Sequence, residues 1–151
     1  REQQAQTLAE FREAEQTAAW AAIHAAHYDW WMFPIDQPSS LGFAYAVCQA
    51  EVAELRAWPG YLSDYLDGVR ILLLSWGWHL QSQTPIRACD PDQRWMHWPI
   101  RLEKCGRSLW LFEELDAYRS VRGYALSLID EGVDLRYLDR DCGDYFRHHL
   151  A

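Results

Sequence analysis

Tyr61-Leu62-Ser63-Asp64-Tyr65-Leu66-Asp67-Gly68-Val69-Arg70-Ile71-Leu72-Leu73-Leu74-Ser75-Trp76-Gly77-Trp78-His79-Leu80 carries the clearest pattern in the chain. Leu62, Leu66, Val69, Leu73, Trp76 and Leu80 recur at alternating spacings of four and three, which is one apolar helix face and the seam of a bundle. Asp64, Asp67 and Arg70 take the polar side, and Trp58-Pro59-Gly60 breaks the chain before it. The spacing predicts a helix over about Tyr61 to His79.

Similar reasoning extends in both directions. Length and alanine content predict a first helix from about Glu2 to Tyr28. Leu8, Phe11, Ala18, Ala22 and Ala26 form one face of it, and Trp20, His24, His27 and Trp31 form a second stripe. Its C-terminal half is apolar or aromatic almost all round, so it is expected to be buried on both sides until Pro34 ends it. A second helix is predicted from Leu41 to Ala57, after the turn Asp36-Gln37-Pro38-Ser39-Ser40. Gln81 to Asp92 reads as a long loop, and Pro99 suits the first position of a fourth helix with Trp98, Leu102, Cys105, Leu109 and Phe112 on its apolar face. A fifth runs from about Asp116 to Glu131, presenting Tyr118, Val121, Ala125 and Leu128 before Gly132. No alternating run makes a convincing strand. The expected architecture is a single all-α domain over residues 1–151, a bundle of about five helices with a short C-terminal extension.

Charge narrows the function classes. Fourteen basic against 22 acidic side chains give a net charge of −8, so nucleic acid and anionic membrane surfaces are not expected partners. The longest apolar run, Ile71 to Leu74 leading into Ser75-Trp76-Gly77-Trp78, falls far short of the roughly 20 residues a membrane span needs. Cys48, Cys89, Cys105 and Cys142 are dispersed without a Cys-x-x-Cys pair, which suits free thiols and a reducing cytoplasm.

The chemistry concentrates in His27-Tyr28-Asp29-Trp30-Trp31-Met32-Phe33-Pro34-Ile35-Asp36, which sets three acid–base groups among four aromatic rings in a chain with nine tryptophans. Trp95-Met96-His97-Trp98-Pro99-Ile100 resembles its centre, each segment placing tryptophan before a Pro-Ile pair. Together they suggest an aromatic pocket walled by Trp30, Trp31, Trp95 and Trp98, with Asp29, Asp36, Arg94 and Arg101 as polar partners. Arg87, Arg94, Arg101, Lys104 and Arg107 form the only basic concentration. Arg101 and Lys104 share a helix face from which they can clamp an anionic ligand or pair with Asp29, Asp36 or Glu51. His24 and His27, three apart, can lean to one side as metal ligands with Asp29 nearby.

No catalytic motif stands out: Gly-x-Ser-x-Gly, His-Glu-x-x-His and a Gly-rich phosphate loop are all missing from the sequence. The leading expectation is therefore a non-catalytic helical module that binds a protein partner or assembles with itself, with no cofactor. A small aromatic or anionic ligand in the tryptophan pocket is the second expectation, and a metal-dependent enzyme centred on His24, His27 and Asp29 is the third.

Overall fold

The computed structural model describes residues 1–87 and 89–150. Among these the chain is mostly helical, with eight helices and two small antiparallel sheets. In order they are α1 (Glu2–Thr17), α2 (Trp20–Ile23), α3 (Asp29–Met32), α4 (Gln49–Ala57), α5 (Tyr61–Ser75), β1 (Trp78–His79), β2 (Thr84–Pro85), α6 (Pro99–Leu111), α7 (Leu115–Asp130), β3 (Arg136–Tyr137), β4 (Arg140–Asp141) and α8 (Gly143–His148). The architecture is thus helical in the main, but not purely α and not five-helixed.

The long helices are where periodicity placed them. Gly60, at φ 78°, turns the chain into α5, and Pro99 opens α6. Along α7, Tyr118, Val121 and Ala125 are fully buried and Leu128 nearly so, as their spacing predicted. Of the expected seam, Val69, Leu73, Trp76 and Leu80 are buried, but in the first two turns of α5 the buried face is rotated: Tyr61 and Tyr65 are buried while Leu62 and Leu66 lie half-buried. Tyr65 can lie in the core because its hydroxyl finds a partner, donating to Ser108 Oγ at 2.9 Å. Its ring stacks on Phe112 at 5.0 Å.

The predicted first helix is broken. Ala18 adopts a left-handed conformation (φ 53°, ψ 30°), closing α1 with amide bonds to Ala14 and Glu15, and two short helices replace the expected continuation. No glycine or proline marks the break, and alanine disfavours that conformation by about 1–2 kcal/mol. Tertiary packing overrides it. A straight helix of that length would extend about 40 Å, far beyond α5, the partner of α1. Bending returns Tyr28, Met32 and Phe33 to the core, each at most 1% exposed. Ala22, Ala26 and His27 are left outside, so the segment is buried on one flank rather than on both.

The second predicted helix also starts late. Residues 41–45 form turns and 46–48 are irregular, with Gly42 at φ 64° and a bridge between Ser39 and Gly42. The helix begins at Gln49 because Glu51 accepts the Cys48 amide at 2.7 Å, a capping interaction three residues into the next turn. Two hairpins replace expected irregular chain. The loop after α5 pairs Trp78 with Pro85 and His79 with Thr84, and the tail pairs Arg136 with Asp141 and Tyr137 with Arg140. The second hairpin feeds α8, which packs on α6 at Gly106. A Cβ there would lie 2.6 Å from the Phe146 ring, so only glycine admits that approach.

α6 carries the architecture's main surprise. Leu102, Cys105 and Leu109 are buried on one side, as expected, yet Arg101, Glu103 and Lys104 are buried on the other. Its charged face is covered by the 24–33 segment and the β3–β4 hairpin, and a cavity lies between them. Among the described residues, no helix is long and apolar enough to cross a membrane.

Candidate functional site

The cavity holds about 500 Å³ and is bounded by α3, α6, the turn at residues 37–40 and the β3–β4 hairpin. Its polar floor is built from α6. Lys104 Nζ donates to Asp29 Oδ2 at 2.6 Å, and Arg101 Nε lies 3.8 Å from Asp29 Oδ1. Next to Lys104 in the chain, Glu103 accepts at Oε1 from Arg107 Nε at 2.6 Å and from Arg140 Nη2. Both carboxylates lie deep: the Asp29 side chain is 8% exposed and that of Glu103 is 1%. The guanidiniums of Arg107 and Arg140 remain partly open. A buried ion is tolerated only when paired and hydrogen-bonded, and here each carboxylate meets two cations.

Arg101 has a second task. Its two terminal nitrogens donate to the carbonyls of His24 (3.2 Å) and Ala26 (2.7 Å), and its guanidinium lies 4.6 Å from the centre of the Tyr28 ring. Those carbonyls are free because α2 stops at Ile23. The break in the first helix and the buried arginine therefore belong together.

The upper wall is aromatic. Trp30 faces Lys104, whose ammonium sits 5.3 Å from the ring centre, and its indole N–H is buried without an acceptor. Trp98, at the start of α6, meets Tyr137 of β3 edge-to-face at 6.0 Å. Glu103 Oε2 has no donor of hydrogen-bonding geometry, although Cys142 lies close enough to feel it: burial, then Glu103, push that thiol up. Burial alone pushes the Cys105 thiol up. Neither thiol is poised as a nucleophile.

Of the residues singled out in the sequence, Asp29, Trp30, Trp98 and Arg101 line this one cavity, together with His27, Lys104 and Arg107. Four others lie elsewhere. Trp31 turns to the opposite side, donating to Thr7 Oγ1 at 2.9 Å and meeting Tyr45 edge-on. Trp95 packs against Trp76 and Tyr124. Asp36 and Arg94 are exposed. Glu103, Tyr137 and Arg140 went unrecognised in the sequence. The last two sit in the C-terminal tail, where Leu135-Arg136-Tyr137-Leu138-Asp139-Arg140 shows no sustained alternation that would mark a hairpin.

The two histidines part company. His24 is buried, stacked on Trp76 at 5.5 Å, with Nε2 3.0 Å from Ser75 Oγ, while His27 is exposed beside Trp30. Among the described residues no group of three or more His, Cys, Asp or Glu side chains is arranged to hold a metal ion. The His24–Ser75 distance is that of a base and its nucleophile, but Ser75 is fully buried and donates to the Leu72 carbonyl at 2.5 Å. No substrate reaches it there.

Comparison with known proteins adds nothing to this geometry: no family model matches the chain, and neither does any curated protein or solved structure.

His24 supplies a pH prediction. Burial first, then Arg101 and His97, push its ring down to about 4, so it is neutral in the fold. An unfolded histidine titrates near 6.5, so below that pH the unfolded chain binds a proton that the folded chain refuses. Stability is full above about 6.5 and falls as pH drops toward 4. In urea unfolding at about pH 7.5 and about pH 5, the parent should lose more stability on acidification than His24→Gln. Equal losses would contradict a buried neutral ring.

Proposed function

We propose that this chain is a ligand-binding protein whose cavity, between α3, α6 and the β3–β4 hairpin, takes a small organic molecule with a planar apolar body. One observation carries the reading: rings that can stack and charges that can orient a ligand converge on one cavity, although they come from sequence positions as distant as Trp30, Trp98 and Tyr137. Its volume of about 500 Å³ lies within the range of small-molecule sites. The lining sets apolar and aromatic walls beside a dense polar floor that includes seven charged side chains, which favours a ligand with a polar group on an apolar body.

Phe43, 73% exposed, and Leu138, 86% exposed, favour a second reading as a module that meets a protein partner or a second copy. Its signature is a mass that rises with concentration in light scattering, lowered again by Phe43→Ser. The cavity ranks ahead because its polar groups are positioned by buried ion pairs, whereas those two side chains stand on separate loops.

Tryptophan fluorescence with indole, naphthalene derivatives and quinoline tests the proposal. Saturable quenching is expected, weakened in Trp98→Ala by roughly fivefold, the worth of about 1 kcal/mol for one lost aromatic contact. Quenching that never saturates, or that ignores the substitution at Trp98, would contradict it.

A further inference from the structure

Resting on that reading of the cavity, we infer that its ligand is a monoanion, a planar ring system bearing one carboxylate, and that Arg107 and Arg140 receive the carboxylate. Charge arithmetic comes first. Four cations contact two carboxylates: Lys104 and Arg101 at Asp29, Arg107 and Arg140 at Glu103. Asp139, exposed at the mouth, is the one further carboxylate of the lining. One positive charge is left over, in a chain whose net charge is −8.

Accessibility sharpens the point. Glu103 is 1% exposed at its side chain, whereas Arg107 is 26% and Arg140 45% exposed, so the acid lies underneath and the guanidiniums face outward. Each spends little of its donor capacity on Glu103. Arg107 uses Nε and Arg140 uses Nη2, both on the same oxygen, Oε1. A guanidinium carries five N–H donors in a planar fork that matches a carboxylate edge. The remaining N–H groups of the two arginines make no side-chain hydrogen bond among the described residues, which leaves a fork able to take a second carboxylate.

The rings fix the other end of the ligand. Trp30, Trp98 and Tyr137 line the same cavity. The excess of a single charge favours a monocarboxylate over a dianion, because a second negative group would face Asp139 and Glu103 without a cation of its own.

Titration calorimetry with two isosteric pairs decides the matter: indole-3-acetate against indole-3-acetamide, and 2-naphthoate against 2-naphthamide. In the parent the acid of each pair should bind at least about tenfold tighter than the amide, as charge-assisted bidentate bonds exceed neutral ones. Raising salt should weaken the acids and leave the amides unchanged. Arg140→Gln should reduce the preference to about twofold; the melting temperature falls somewhat because buried Glu103 loses one of its two cations, and unchanged amide binding reports that the cavity is still formed. Should that variant misfold, Arg107→Gln serves in its place. Equal binding of acid and amide would overturn the charge inference while leaving the cavity standing. Binding of neither would overturn both. An acid preference undiminished in both arginine variants would overturn the assignment of those residues.

Discussion

Arg101 and Lys104 reach across from α6 to hold residues 24–29, and the rest of the structure follows from that grip. Lys104 binds the Asp29 carboxylate at 2.6 Å, and Arg101 caps the carbonyls of His24 and Ala26 that the end of α2 leaves open. A helix interrupted beside the core exposes carbonyl groups that water cannot reach, and each such group left unmet costs about 1–3 kcal/mol. A guanidinium with several fixed donors meets two of them at once. In return the two carbonyls give the buried cation partners that a single carboxylate could not supply. Replacement of such a cluster by packed carbon is often neutral for stability, so its benefit here is better sought in uniqueness of arrangement. The observed placement of α3 satisfies Asp29 and both carbonyls at once.

That placement explains why the cavity exists. α3 is too short to hold a position by its own hydrogen bonds. With Asp29 tied under α6, Trp30 is turned to one side of the segment and Trp31 to the other, where it meets Thr7 and Tyr45. The β3–β4 hairpin is held from the same turn of the same helix, by Arg140 on Glu103. α6 thus anchors both walls through adjacent ion pairs, and the space between them is lined by whatever those walls carry. Here that is three aromatic rings and a pair of outward guanidiniums.

Much of this was legible in the sequence, and its gaps have physical causes. α5, α6 and α7 were visible because their apolar residues recur at helical spacing and their ends carry Gly60, Pro99 and Gly132. The pairing of Arg101 and Lys104 with Asp29 was among the options that their shared face allowed. The break at Ala18 was invisible: alanine is the best helix former, and only the need to fold Tyr28 and Phe33 back onto the core overrides it. Residues 41–48 misled because their apolar spacing suggests a face, while Gly42 and the Glu51 cap, both present in the sequence, point to a later start. Trp30 and Trp31 could not be told apart from composition, since neighbours on a short helix point about 100° apart and packing alone decides which one meets the cavity. The two hairpins have only two residues per strand, too few for alternation to register.

The grip of α6 on Asp29 is open to one direct measurement, a double-mutant cycle of Asp29→Asn and Lys104→Met followed by chemical unfolding. If the buried pair positions α3, each single substitution strands a polar partner, and the double variant should lose less stability than the sum of the two by roughly 1–3 kcal/mol. Losses that add to within about 0.5 kcal/mol would mean the two side chains act independently. The ordering of α3, and the cavity it bounds, would then have another origin.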